Sequence, residues 1–84
     1  MSYEKVMQVK SRVVIGTKQT LKAMKDGDIS EVFIAVDADQ HMTQKVAHLA
    51  EELNIPCHHV DSKKKLGAAC GIEVGAATVG IKQG

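Results

Sequence analysis

Ile15-Gly16-Thr17-Lys18-Gln19-Thr20-Leu21-Lys22 is the stretch whose residue types and spacing could do chemistry, and that chemistry is recognition of an anion or a base edge. Gly16 allows a tight turn and close approach by a partner's backbone. A helix starting at Thr17 would offer free backbone N–H groups and a positive dipole end to phosphate or to a base acceptor. Lys18 and Lys22 are four apart and Gln19 lies three before Lys22, so all three side chains project from one face near that end. Lysine can donate to guanine O6 and N7, and glutamine both donates and accepts at base edges. Lys25 extends the basic row by one more turn. The competing reading is an ordinary solvated lysine face behind a capping threonine.

A second constellation runs from Lys63 to Gly75, KKKLGAACGIEVG. Lys63, Lys64 and Lys65 crowd a helix start, where the dipole disfavours cations, so electrostatics within the helix does not explain them. Leu66, Ala69 and Cys70 would face a core. Ile72 and Val74 flank Glu73 in a loop between two glycines, where they could pack on an unstacked base or close the edge of the core.

Catalytic and metal chemistry find little here. There is no Walker-type glycine loop, no GxSxG and no HExxH. His58 and His59 are adjacent and point to opposite faces of a strand, so they cannot chelate one metal together. His41 and His48 are two helical turns apart, too far to share an ion without a third ligand. Cys57 and Cys70 lack CxxC spacing and read as reduced, largely buried thiols. No enzyme activity, cofactor or metal is expected.

The chain has 84 residues, 44% hydrophobic and 25% charged, enough for one domain, residues 1–84, with a modest core. No apolar run reaches the length of a membrane span and no signal-peptide pattern opens the chain, so a cytoplasmic protein, with no membrane partner, is expected. The net charge of +1 is uninformative, but its distribution is not. Lys10–Lys25 holds five basic residues and no acid, Asp26–Asp61 holds eight acids and only Lys45, and Ser62–Gly84 is basic again apart from Glu73. If the fold joins the two basic blocks, it makes a face that attracts a polyanion.

The elements that must position these residues alternate. Ser2–Val9 reads as a short helix and Val13–Ile15 as a buried strand ended by Gly16. Thr17 would cap a helix to about Lys25 with Thr20, Leu21 and Met24 inward. Glu31–Val36 holds a continuous apolar run, the mark of a strand covered on both faces. His41–Leu53 repeats Met42, Val46, Leu49, Ala50 and Leu53 at helical spacing, and Asn54 ends it before Pro56. Cys57–Val60 is a strand, Asp61-Ser62 a cap for a helix Lys63–Cys70 closed by Gly71, and Ala76–Ile81 a last strand. The expected fold is α/β, a three-layer α/β/α sandwich around a four-stranded mixed sheet, with function at loops and helix ends.

In three stretches the chain resembles the kink-turn-binding ribosomal protein family, the ribosomal L-seven-Ae family, and especially its short bacterial paralogues. These are Gly16–Lys22 with Ala23, the strand and turn Val32–Asp39, and Leu66–Val74, which fits L-G-x-A-x-G-[IV]-E-V. The resemblance covers roughly residues 10 to 81. It implies an α/β/α sandwich that binds kink-turns, RNA internal loops with tandem sheared G·A pairs and a sharp bend. Lys18, Gln19 and Lys22 match the family positions that enter the widened groove at the G·A pairs. Ile72, Glu73 and Val74 match the loop that packs on a flipped-out nucleotide. The chain departs from the commoner pattern at Lys18-Gln19, where Asn-Glu is usual, and at Gln40, where proline often follows the acidic turn. With only two aromatics, Tyr3 and Phe33, stacking platforms of the RRM or OB kind are not expected. Gly16 and Thr17 would supply backbone approach, and Lys63 and Lys64 would meet phosphate. The expected partner is a structured RNA with a kink-turn, in a ribosome or riboswitch context, bound by a monomer. The alternative is a protein–protein or ribosome-assembly module that has kept the fold and lost the RNA grip.

Overall fold

The computed structural model describes Gln8 and residues Lys10–Gln83, and the expected helix over Ser2–Val9 lies outside this range apart from Gln8. A 3-10 turn at Lys10–Arg12 leads into β1 (Val13–Ile15), α1 (Thr17–Lys25), β2 (Ile29–Ala35), α2 (Gln40–Glu52), β3 (Cys57–Val60), α3 (Lys63–Ala69) and β4 (Thr78–Lys82). The alternation expected from β1 onward is present, as a four-stranded mixed sheet in the order β1-β4-β2-β3. β4 runs antiparallel to both of its neighbours, β1 and β2, while β2 and β3 are parallel. β1, β2 and β3 therefore point one way and β4 the other.

That direction decides where function can sit. β1, β2 and β3 each feed a helix, so all three helices begin at the same end of the sheet, where β4 also begins. Ligand sites of α/β sheets gather at the carboxyl ends of parallel strands because helix N-termini and the most variable loops meet there.

Two clusters of side chains hold the layers together. Met24, Ile29, Val32, Ile34, Val46 and Ala50 fill the space between the sheet and the pair α1/α2. Phe33, Ala35, Val60, Leu66, Ala69, Cys70 and Val79 fill the opposite face beneath α3. β2 supplies alternate residues to both, which is why it reads as an unbroken apolar run. Fully burying Phe33 or Leu66 is worth about 1.5–3 kcal/mol each. Glu31, on the Phe33 face of β2, is buried and accepts a hydrogen bond from His58 Nε2 at 3.0 Å. The His58 ring stacks on Phe33 with centroids 4.9 Å apart.

Several expected boundaries shift for local reasons. β2 starts at Ile29 and ends at Ala35, the last residue of its parallel ladder with β3, where it pairs with Val60. β4 starts at Thr78, because the Ala76 N–H is taken by Lys63 O. α2 buries Thr43, Val46 and Ala50, whereas Met42 and Leu53 are 52% and 44% exposed. The buried stripe runs i, i+3, i+7, and Met42 lies about 100° off it, one residue's rotation around the helix. Asn54 closes the helix at φ 57°. Cys70 is buried and Cys57 partly so, both as free thiols. No described helix is long and apolar enough to cross a membrane.

Candidate nucleic-acid interface

Gly16 is the N-cap of α1, in place of the expected Thr17, with φ 108° and ψ 145°. That φ belongs to the region glycine enters without penalty. The Gly16 N–H donates to Thr78 O at 3.0 Å, and its carbonyl accepts from Thr20 N at 3.0 Å. Thr17 turns its side chain inward instead of capping. Its hydroxyl meets the Thr78 hydroxyl at 3.1 Å, in a buried contact between residues 61 positions apart. One turn on, Thr20 Oγ1 donates to Val14 O at 3.3 Å. These bonds fix the start of α1 to β1 and β4, and no N-cap side chain bonds its first-turn N–H groups.

Lys18, Gln19 and Lys22 are all exposed, and no acidic residue occupies the first turn to neutralise the dipole. Gln19 folds back over the cap, its Oε1 only 2.6 Å from where a Cβ on Gly16 would lie. Gly16 thus leaves room for the glutamine amide at the helix opening. The expected grouping of Gly16, Thr17, Lys18, Gln19 and Lys22 is present, with Thr17 contributing backbone and anchorage only.

α3 opens at the same end of the sheet. Ser62 caps it, accepting from Lys65 N at 3.3 Å, and Asp37 Oδ1 accepts from Lys63 N at 2.8 Å. Lys63, Lys64 and Lys65 are exposed, and Lys65 Nζ lies 3.6 Å from Asp61 Oδ2 in a solvated pair. The 71–75 loop folds onto the helix that precedes it. Ile72 N donates to Gly67 O at 3.1 Å and Ala76 N donates to Lys63 O at 2.9 Å. A Cβ on Gly67 would run into the Val74 carbonyl, so this close packing requires glycine. A Cβ on Gly75 would sit 3.2 Å from Lys63 Cγ.

Ile72 and Val74 consequently have different roles. Ile72 is half-buried and packs on the core cluster under α3, so it does not stand free in the loop. Val74 is 70% exposed beside Lys63, with Glu73 also exposed. Four residues after Val74 the chain reaches Thr78 and its bond to Thr17, which ties the loop to the start of α1.

Three further residues lie around these helix openings. Asp37 reaches across from the β2–α2 turn to hold the backbone of Lys63. Asp39 caps α2 by accepting from His41 N at 2.9 Å. Lys45 shares a small cavity with Thr17, Lys18, Leu21 and Met42 where α2 lies along α1. Asx residues ahead of a helix are a legible capping signal, and Lys45 is the one cation in the acidic middle of the chain. Burial raises the thiol pKa of both Cys57 and Cys70. No cluster of three or more potential metal ligands exists among the described residues.

This arrangement can bind an anion and read base edges: helix amides, an amide side chain, exposed cations and the exposed Val74 share one end of the molecule. The chain is similar to several known proteins. RNA-binding protein YbxF of Geobacillus stearothermophilus is 56% identical over 81 residues, covering 96% of this chain and 98% of the relative. RNA-binding protein BH0128 of Halalkalibacterium halodurans is 55% identical over 83 residues, 99% of this chain and 100% of its own. Among solved structures, the Giardia lamblia 15.5kD RNA binding protein superposes with a TM-score of 0.92 at 26% identity, over 98% of this chain and 71% of that one. A protein of unknown function from Bacillus halodurans, at 22% identity and TM-score 0.86, shares the fold. The profile of the ribosomal protein L7Ae/L30e/S12e/Gadd45 family matches residues 1–84, and the chain belongs to that family.

Proposed function

We propose that this protein binds structured RNA without catalysing a reaction, and that it recognises kink-turns and stabilises their bent conformer. The single observation that carries the reading is the meeting of two basic helix openings at one end of the sheet. Lys18, Gln19 and Lys22 stand on one, and Lys63 and Lys64 stand beside the exposed Val74 loop on the other. A regular A-form major groove is too deep and narrow for a helix end, so guanine edges become accessible where the RNA is distorted. The start of α1 is compact enough to enter such a widened groove, with Lys18 and Lys22 donating to guanine edges or phosphate and Gln19 serving as donor and acceptor. Lys63 and Lys64 meet phosphate, and Val74 offers an apolar surface to an unstacked base, with Glu73 at its side.

Binding the bent state more tightly than the extended one shifts the RNA toward the bend. On this reading the protein acts as a cytoplasmic monomer with no cofactor, on ribosomal or riboswitch-like RNA. The relatives named above as RNA-binding proteins match nearly the whole length of the chain, which supports the RNA part of the reading. The test compares a kink-turn RNA with the same RNA after replacement of its G·A pairs. Clear preference for the intact motif is expected, with a log–log salt slope of about −3 to −4 if four lysines contact phosphate. Equal affinity for the two RNAs would refute the proposal.

A further inference from the structure

α1 and α2 lie side by side and start at the same end of the sheet, and the groove between them is open to solvent. It consists of two cavities that share Leu21 and Lys45 in their walls, of about 230 Å³ at the helix openings and about 480 Å³ further along. Leu21 and Leu49 line it, and Met42, 52% exposed, stands at its upper end. Its cations follow one another away from the α1 opening: Lys18 and Lys45 in the first cavity, then Lys45 with Lys25 in the second. Lys18 and Lys25 are seven residues apart, about 10 Å along the helix axis. The acid in the groove, Glu52, lies at the far end, 3.5 Å from His48 Nε2.

We infer that this groove is a second contact surface for RNA, a phosphate track that receives the backbone of the strand leaving the α1 opening. The inference rests on the RNA-binding reading above and extends it to residues outside the end of the sheet. Three observations favour RNA as the occupant. The groove is continuous with the α1 opening through Thr17 and Lys18. The charged residues that line its upper cavity, Lys18 and Lys45, are both cations. The acidic middle block of the sequence contributes to it the only lysine that block contains, Lys45. The apolar floor would pack against sugar faces while the lysines, mobile on long stems, follow the phosphates.

Lys25→Ala/Lys45→Ala tests this, because neither side chain belongs to the machinery proposed for the kink itself. Three RNAs are titrated: a short kink-turn, and two versions in which one or the other flanking stem is lengthened by a helical turn. The variant should bind the short RNA as the wild type does. It should lose about tenfold on one lengthened RNA, with the salt slope there shallower by about 1.5. Lys25→Arg/Lys45→Arg should restore the wild-type value. Identical affinities of wild type and alanine variant on all three RNAs would overturn the inference, as would equal losses on all three. If the wild type proves indifferent to the G·A pairs but the alanine variant still weakens binding to lengthened stems, the kink-turn reading fails and the groove stands.

Discussion

The Thr17 and Thr78 hydroxyls meet at 3.1 Å inside the protein and fasten the first residue of α1 to the first residue of β4. Neither hydroxyl is available to a ligand, yet the pair sets where the exposed Lys18 and Gln19 stand. Thr78→Val leaves the Thr17 hydroxyl buried without this partner, and an unsatisfied buried hydroxyl costs about 1–3 kcal/mol. Thr17→Val should cost a similar amount. Removing both groups leaves nothing unsatisfied, so Thr17→Val/Thr78→Val should recover most of the loss. Urea unfolding of the four proteins measures the coupling, and strictly additive losses would show that the bond contributes nothing specific.

Lys18→Ala/Lys22→Ala removes the two cations at the α1 opening while touching no buried group, since both side chains are exposed. Thermal unfolding should move by no more than about 0.5 kcal/mol equivalent, the usual range for surface changes. Affinity for a kink-turn RNA should fall at least tenfold and the salt slope should shrink by about 1.5 to 2, the share of two phosphate-type contacts. A double variant that binds as well as the wild type would remove α1 from the interface.

Much of this was legible because short periodic patterns and punctuation residues carry it. Val32–Ala35 is apolar throughout because β2 lies between two strands and two layers. Gly16, Asn54 and Gly71 mark the turns where backbone with positive φ is needed. The reading failed where tertiary bonds override local preference. Thr17 has the residue type of a cap, but Thr78, 61 residues away, takes its hydroxyl inward. Met42 fits an apolar helical repeat, but the sheet meets the stripe through Thr43. Ile72 and Val74 look equivalent in sequence, and only the folding of the loop onto α3 buries one of them. The α1/α2 groove was not legible, because two helices separated by a strand reveal their mutual packing in no local pattern.

Burial holds the thiol pKa of Cys57 and Cys70 above the ordinary value. The folded state thus favours the protonated thiol more than the unfolded chain does. The associated stability is complete below the unfolded thiol pKa of about 8.5 and is lost as pH rises through the folded values. Urea midpoints should therefore decline above about pH 8.5, and Cys57→Ala/Cys70→Ala should flatten that decline. At neutral pH a disulfide reagent should label the native protein far more slowly than the protein in urea, because the thiolate is the reacting species. Rapid labelling of either native cysteine would contradict the burial and reopen a redox role.

Gly67 separates the structural from the functional work of the α3 segment. An added Cβ meets the backbone carbonyl of Val74, and a carbonyl cannot swing aside as a side chain can. Gly67→Ala must displace either α3 or the 71–75 loop, at a cost of about 1–3 kcal/mol, the range for overpacking. Because Ile72 N donates to Gly67 O and Ala76 N to Lys63 O, the displacement should carry the loop away from Lys63. RNA affinity should then fall even under conditions where the variant is fully folded. Val74→Ala is the companion change: Val74 is 70% exposed, so its truncation should leave stability within about 0.5 kcal/mol of wild type. If the loop meets an unstacked base, Val74→Ala should weaken kink-turn binding several-fold, and an abasic residue at the flipped position should abolish that difference. Gly67→Ala with full stability and full affinity would mean that the loop does not rest on α3 in solution.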